Sequence, residues 1–288
     1  MNTQTISMSN SGHCILCHTS SFRIIHRKEH WQYHCCLNCG LVSLYPRPDK
    51  RTLIENYEDY LPIQPEEIKR WGMMMKPVIR RSADLIESGS KSGKGRLLDI
   101  GCGYGFFLQE MKTRGWQAEG IEVSGTGRRY ARDKWDVPVH SRPLEDLGLS
   151  ENAFDVVTLF YVIEHVLDPP VLLAEVKRVL KPGGLVLLRW PHSTPIVRIL
   201  GPFSGRLDLY HTPYHLYDFS PKTIAKLLVL SGFCRIQTMI GRYTRPSPRL
   251  ARWASTAFGQ LGEALYFLSC GNILLPGVSK TTLAVKKE

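Results

Sequence analysis

Leu97-Leu98-Asp99-Ile100-Gly101-Cys102-Gly103-Tyr104-Gly105-Phe106 decides the fold. An apolar run ends in a carboxylate, three alternate glycines follow, and Phe107 to Arg114 reads as an amphipathic helix. Strand, tight loop and helix start make the first unit of a doubly wound α/β sheet. The glycines permit positive φ and let backbone pass close to a ligand.

The spacing separates the ligands such a loop can take. A phosphate-binding loop needs Gly-Lys-Ser/Thr, which is absent. A dinucleotide loop needs its third glycine three places after the second; here Gly105 comes one place early and Phe106 stands at that position. Asp99 at the strand end disfavours a pyrophosphate and suits a cationic amino group. Gly120-Ile121-Glu122-Val123-Ser124 ends the next strand with a second carboxylate, about 20 residues on, where it can bond both hydroxyls of a ribose. A nucleoside with a positively charged tail is S-adenosylmethionine.

These two segments are joined by Phe154-Asp155-Val156-Val157, Glu164-His165-Val166-Leu167-Asp168-Pro169 and Leu180-Lys181-Pro182-Gly183-Gly184. In that order and spacing the chain resembles the class I S-adenosylmethionine-dependent methyltransferases. More narrowly it is similar to the type 11/type 23 group, which includes the ubiquinone-pathway O-methyltransferases. The resemblance runs over roughly residues 93 to 240, with Thr281 to Lys286 available for a last, antiparallel strand. It implies a Rossmann-like seven-stranded sheet with helices on both faces. It also implies S-adenosylmethionine held by backbone at Gly101, Gly103 and Gly105, with Asp99 on the amino group and Glu122 on the ribose. Leu144 and Glu145 match the family's adenine-side segment, and Phe160 follows with backbone contacts at the methionine end.

The alternation of elements agrees with this. Strands are expected near 96–100, 117–122, 137–140, 154–160, 184–190, 233–240 and 281–286, with helices near 104–114, 125–135, 169–180 and 221–231. That rhythm argues for a mostly parallel sheet covered on both faces. Ser220 and Pro221 mark one helix start and Gly232 its end. Lys181 to Gly184 reads as a turn before the fifth strand.

Ahead of this unit, Cys14-Ile15-Leu16-Cys17 and Cys36-Leu37-Asn38-Cys39 form two Cys-x-x-Cys knuckles with 18 residues between them. Two such knuckles complete a tetrahedral thiolate site for zinc, and a full set of four ligands makes the site structural. Cys35 is adjacent and out of register. Phe22 to Ile25 and Trp31 to His34 can pair as a hairpin between the knuckles. A module this small cannot bury a core of its own, so metal should supply its folding energy. With the Gly40-Leu41-Val42 and Tyr45-Pro46-Arg47-Pro48 that follow, it is similar to the zinc-binding amino-terminal segment of many type 23 methyltransferases.

The division expected is residues 1–45 for a disordered terminus and zinc module, 46–92 for a helical cover and linker, and 93–288 for the methyltransferase domain. In the cover, Asp49 caps a helix from Lys50 to Tyr60, with Tyr57 and Tyr60 on one face. A second helix starts at Pro65-Glu66-Glu67 and should end or kink at Pro77. Ser88 to Gly95 has linker composition.

The chain has 288 residues, 43% of them hydrophobic, and a formal net charge of +11. The charge is compatible with nucleic acid, anionic lipid or an acidic acceptor, and equally with a solvated basic surface. No secretory signal and no run of about 18 apolar residues is present, so a cytoplasmic protein without a transmembrane span is expected. Eight cysteines without a signal point to metal rather than disulfides. Arg235 to Arg252 holds five arginines and no acid, and Ala254 to Val278 is uncharged but for Glu263. A basic loop beside an apolar stretch suits peripheral contact with an anionic membrane; the plainer expectation is a helical hairpin packed on the sheet.

Methyl transfer to a hydroxyl or a carbon acid needs a base placed near the nucleophile. His165, after the fourth strand, is the first candidate, since the ordinary histidine pKa suits the task. His211 and His215 lie in a loop that family analogy places over the acceptor, and His192 is a weaker candidate. The fourth strand does not continue into Asn-Pro-Pro-Tyr or a Pro-Cys signature, which argues against methylation of exocyclic base amines, glutamine amides and cytosine C5. The expected activity is O- or C-methylation of a small-molecule acceptor such as a sugar, glycan, lipid or secondary metabolite. The alternatives are an RNA methyltransferase gripping RNA with its zinc module, and a cofactor-binding scaffold without catalysis.

Overall fold

The computed structural model describes residues 12–48, 53, 57, 61–90, 93–201, 208–246, 249–275 and 279–288. Strands β1 (Phe22–Lys28), β2 (Trp31–Cys36) and β3 (Val42–Tyr45) come first and pair antiparallel in sequence order. The expected hairpin is therefore present and is longer than its apolar segments. Leu53 and Tyr57 are helical; Asp49, Tyr60 and most of the expected first helix lie outside the described residues.

Helix α1 (Pro65–Gly89) begins at the expected proline, with Glu66 and Glu67 in its first turn. It does not end at Pro77 but runs three more turns. Val78, Ile79, Ala83 and Ile86 beyond the proline are buried. Each large apolar side chain among them contributes about 1.5–3 kcal/mol on burial, which together outweighs the roughly 3 kcal/mol an internal proline costs. The linker expected from Ser88 thus begins inside the helix.

The large sheet follows. Its elements are β4 (Arg96–Ile100), α2 (Phe106–Thr113), β5 (Gln117–Ile121), α3 (Gly125–Trp135), β6 (Val139–His140), β7 (Phe154–Phe160), α4 (Pro169–Val179) and β8 (Leu180–Trp190). After β8 come α5 (Thr194–Leu200), β9 (Tyr217–Asp218), α6 (Pro221–Leu230), β10 (Phe233–Met239), α7 (Arg249–Leu268) and β11 (Lys280–Lys286). Seven of the strands form one sheet in the order β10-β11-β8-β7-β4-β5-β6. Strand β11 is antiparallel to both its neighbours, and the pairs from β8 to β6 are parallel. This is the Rossmann-like methyltransferase sheet expected.

Two further expectations need correction. The turn at Lys181 to Gly184 lies within β8 as a bulge: Phe154 faces Leu180, and Val156 already faces Leu185. Among its described residues, the stretch from Ala254 to Val278 holds one helix, α7, and not the expected helical hairpin; α7 closes where Gly271, at φ +88°, donates its N–H to the Tyr266 carbonyl.

Both faces of the sheet are covered, because successive strand residues point to opposite sides. Leu97, Val156 and Leu187 pack with α1 and α2, whereas Leu98, Val157 and Leu188 pack with α4 and α6. Strand β9 leaves the large sheet and pairs with β3, placing Val42 opposite Asp218 and Ser43 opposite Tyr217. One continuous core therefore runs from Cys14, Phe22 and Tyr33 through Tyr217 to Leu98 and Val157. The cysteine-bearing sheet shares its apolar burial with the large sheet, so metal is not its sole source of stability.

Candidate functional site

The loop after β4 is built from left-handed backbone. Gly101, Gly103 and Gly105 have φ of +68°, +54° and +72°. Gly101 and Gly105 are hemmed in by the protein: a Cβ would lie 2.5 Å from Val162 Cγ2 and 2.8 Å from the Ala131 Cβ, respectively. Gly103 is different, since a Cβ there meets nothing within 4 Å. Its backbone faces open space, the arrangement a ligand lying along the loop requires. Gly127 packs against the Gly103 carbonyl from below, where a Cβ would come within 2.9 Å.

Two buried carboxyl groups flank this loop. Glu122 receives the N–H of Gly103 on one oxygen (2.7 Å) and of Ser124 on the other (2.8 Å). Burial nevertheless raises its pKa, against those backbone bonds. Asp99 receives the Thr158 hydroxyl at 2.7 Å, and burial pushes it up to about 7 despite that bond. A cationic group beside Asp99 and hydroxyl donors at Glu122 would relieve both. Leu144 is buried in a short 3-10 turn to Asp146, and Glu145 beside it is exposed. Phe160, ending β7, rests on Phe107 with ring centroids 4.7 Å apart.

Three of the candidate histidines meet beyond the carboxyl end of β7. The rings of His165 and His215 are 4.8 Å apart edge to face, and those of His215 and His211 are stacked at 5.3 Å. His165 Nδ1 is 2.9 Å from the Tyr214 carbonyl and therefore carries the proton, leaving Nε2 as the basic nitrogen. The Tyr57 hydroxyl lies 3.0 Å from the same Nδ1. Burial lowers His165 to about 4 and takes His215 well below the ordinary histidine value, so both are neutral at pH 7. The expectation that His165 keeps an ordinary pKa is thus corrected by its burial. His211 is exposed, so the row runs from solvent to a buried ring. His192 is not part of it and packs on Trp190.

Several neighbours are not among the candidate site residues the sequence offers. Glu164 has no exposed surface, and neither of its carboxyl oxygens meets a donor among the described residues. Burial holds it protonated, with a pKa of about 8, and one oxygen lies 4.0 Å from His165 Nε2. One donor atom each from Glu164, His165 and His215 falls within 4.8 Å of the others. Tyr161 adopts φ +56°, a strained conformation for a tyrosine, held where its N–H donates to the Arg189 carbonyl at 2.7 Å. Tyr33 reaches across from β2 and donates to the His215 carbonyl at 3.1 Å while stacking on Tyr210 at 4.1 Å.

The four knuckle cysteines converge, with all sulfurs within 4.8 Å of one another. Cys14 and Cys39 are 3.4 Å apart, and Cys17 and Cys36 3.5 Å. A tetrahedron with metal–sulfur bonds of about 2.3 Å has edges of about 3.8 Å, so the set has the right size. Burial raises the Cys14 thiol and takes Cys39 to about 11; Cys17 is lowered to about 7, where the Thr19 backbone and neighbouring thiols overcome burial. Four thiolates this close need a positive charge among them.

Residues 69–237 match the family described as a methyltransferase domain. This chain belongs to that methyltransferase family. The methyltransferase is 33% identical over 169 residues to the ubiquinone biosynthesis O-methyltransferase of Xanthomonas oryzae pv. oryzae, covering 56% of this chain and 71% of that one. It is 33% identical over 114 residues to the protein of that name from Bordetella bronchiseptica, covering 38% of this chain and 47% of the relative, about half its length. Among solved structures, it superposes on a SAM dependent methyltransferase from Archaeoglobus fulgidus with a TM-score of 0.51 at 20% identity, over 83% of this chain and all of that one. A putative S-adenosylmethionine dependent methyltransferase from Listeria monocytogenes gives 0.52 at 16% identity, over 74% and 99%. At these identities the structures share the fold.

Proposed function

We propose that this methyltransferase transfers the methyl group of S-adenosylmethionine to a hydroxyl oxygen of a small-molecule acceptor. The observation that carries the reading is His165 at the carboxyl end of β7, neutral and little exposed, whose Nδ1–H is tied to the Tyr214 carbonyl so that Nε2 is its basic nitrogen. A hydroxyl must lose its proton as it becomes a nucleophile, and an amine acceptor has less need of such a base. The names of the relatives, O-methyltransferases at 33% identity, support an oxygen acceptor.

S-adenosylmethionine supplies an electrophilic methyl group on a sulfonium. The chain's part is to bind and orient. Gly101, Gly103 and Gly105 offer backbone to the methionine portion, Asp99 its charge to the amino group, and Glu122 its oxygens to the ribose. Leu144 and Glu145 lie on the adenine side, and Phe160 at the methionine end. His165 takes the acceptor proton, and His215 and His211 extend the path to solvent. Cys14, Cys17, Cys36 and Cys39 hold a structural zinc that fixes the small sheet, and through β9 and Tyr33 the histidine loop.

The experiment is transfer of labelled methyl from S-adenosylmethionine into a fractionated extract of the source cells. Label in the small-molecule, glycan or lipid fraction, stable to alkali as an ether, is the expected result. Label in RNA would replace it with the RNA reading, and no transfer to any fraction would leave a cofactor-binding scaffold.

A further inference from the structure

Helix α7 leaves an apolar face in solvent. Leu250, Trp253, Ala257, Leu261, Ala264 and Leu268 recur at three- and four-residue steps and all are exposed. The large ones are far from covered: Leu250 is 80% exposed, Trp253 71% and Leu268 78%. The opposite face is fixed to the protein. Gly259 lies so close to the Tyr243 ring that no side chain would fit, and Ser255 donates its hydroxyl to the Thr244 carbonyl at 2.6 Å. Packing therefore aims the leucine face outward, and no described residue covers it.

Two further observations say what does. The first is charge. Residues 242–245, which run along the inner side of α7, form a cleft with α1 that is lined by Arg80, Arg81, Arg242 and Arg245. Arg249 and Arg252 at the start of α7 are also exposed. The acids nearby are engaged: Asp84 pairs with Arg114 and Glu263 with Arg242, at 2.8 and 2.9 Å. The surface is thus leucine and tryptophan beside arginine, and the acids at its margin, Asp84 and Glu263, are each paired with an arginine. The second is position. Strand β10 runs parallel to β8, since both are antiparallel to β11, so α7 departs from the carboxyl edge of the sheet. Buried Arg189 holds that departure by donating to the Ile240 and Gly241 carbonyls at 2.6 and 3.2 Å. This is the same edge at which the glycine loop and His165 lie.

We propose that α7 is a membrane-docking helix, lying flat on an anionic lipid bilayer with Leu250, Trp253, Leu261 and Leu268 in the acyl boundary and the arginines among the headgroups. The contact is peripheral, because no helix among the described residues is long and apolar enough to cross a membrane. Docked this way, the segment from β10 into α7 links the bilayer contact to the carboxyl edge of the sheet. A second copy is a poorer occupant, since joining two such faces brings together two arginine clusters on chains of net charge +11. Nucleic acid satisfies the arginines but offers nothing to the leucines.

The test is co-flotation of the full chain with vesicles of phosphatidylcholine alone and of phosphatidylcholine with phosphatidylglycerol. Binding to the anionic vesicles should be at least about tenfold tighter and should weaken with salt. Trp253→Glu with Leu261→Glu should abolish it while thermal unfolding and S-adenosylmethionine affinity stay as in the parent. Arg80→Ser with Arg81→Ser, which leaves the helix intact, should weaken binding to the anionic vesicles and not to the neutral ones. Failure to bind either vesicle overturns the proposal, as does equal binding to both. A stable dimer in sedimentation that Leu261→Glu splits would assign the face to a second copy instead.

Discussion

Glu164 buries a carboxyl group that meets no donor among the described residues, 4.0 Å from a histidine nitrogen. Its folded pKa, about 8, stands above the ordinary 4.5, so the folded state holds a proton that the unfolded chain releases. The sign follows. Stability from this group is fully present below about 4.5 and is lost as pH rises through about 8. Asp99, raised to about 7, adds a fall in the same direction. Glu164→Gln should therefore melt higher than the parent near pH 8 and nearly equal to it near pH 4.5, by a thermal scan at both; a parent that gains stability with alkali contradicts the assignment. For His165, replacement by alanine should lower kcat by about 10²–10⁴-fold, the usual worth of a general base. Calorimetric affinity for S-adenosylmethionine should be unchanged, because the glycine loop does not use that ring. The place of Glu164 could not be read from its neighbours along the chain, because burial without a partner is decided by residues distant in sequence.

At the scale of elements, α1 shows local preference losing to packing. Pro77→Ala restores an internal N–H and removes a ring clash, so it should stabilise the protein by about 1–2 kcal/mol in denaturant unfolding, less than the full proline penalty because the unfolded chain gains freedom. The small sheet makes the opposite point. Its hairpin and knuckles are legible in the apolar runs and cysteine spacing, but its fourth strand is Tyr217–Asp218, far along the chain. Tyr33→Phe tests that link. Loss of the hydroxyl bonded to the His215 carbonyl should cost about 1 kcal/mol of stability and reduce kcat more than it changes S-adenosylmethionine binding. Equal effects on both would detach Tyr33 from the histidine loop.

Across the whole molecule, the glycine loop and the histidine loop depend on different supports. The first rests on β4, β5 and α3; the second rests on β9 and the cysteine sheet. Dialysis against a zinc chelator, or Cys36→Ser, should therefore lower the melting temperature and the turnover of acceptor while S-adenosylmethionine still binds. Loss of binding in parallel with turnover would mean that one cooperative unit spans both. The final reversed strand was legible only through the family resemblance, whereas the chain's own residues carry the mostly parallel sheet, the glycine loop between Asp99 and Phe106, the carboxylate at Glu122 and the four-cysteine set. Each of these is written in short-range chemistry: apolar period, positive-φ glycines, and donor spacing within one turn. Only the tertiary structure decided that α1 passes Pro77, that a single helix crosses residues 249–268 with its leucines outward, and that β3 pairs with β9. It alone brought His165, His211 and His215 into one row and lowered His165 and His215 by burial. Those outcomes depend on which distant surfaces exclude water from one another, and no local pattern of residues encodes that.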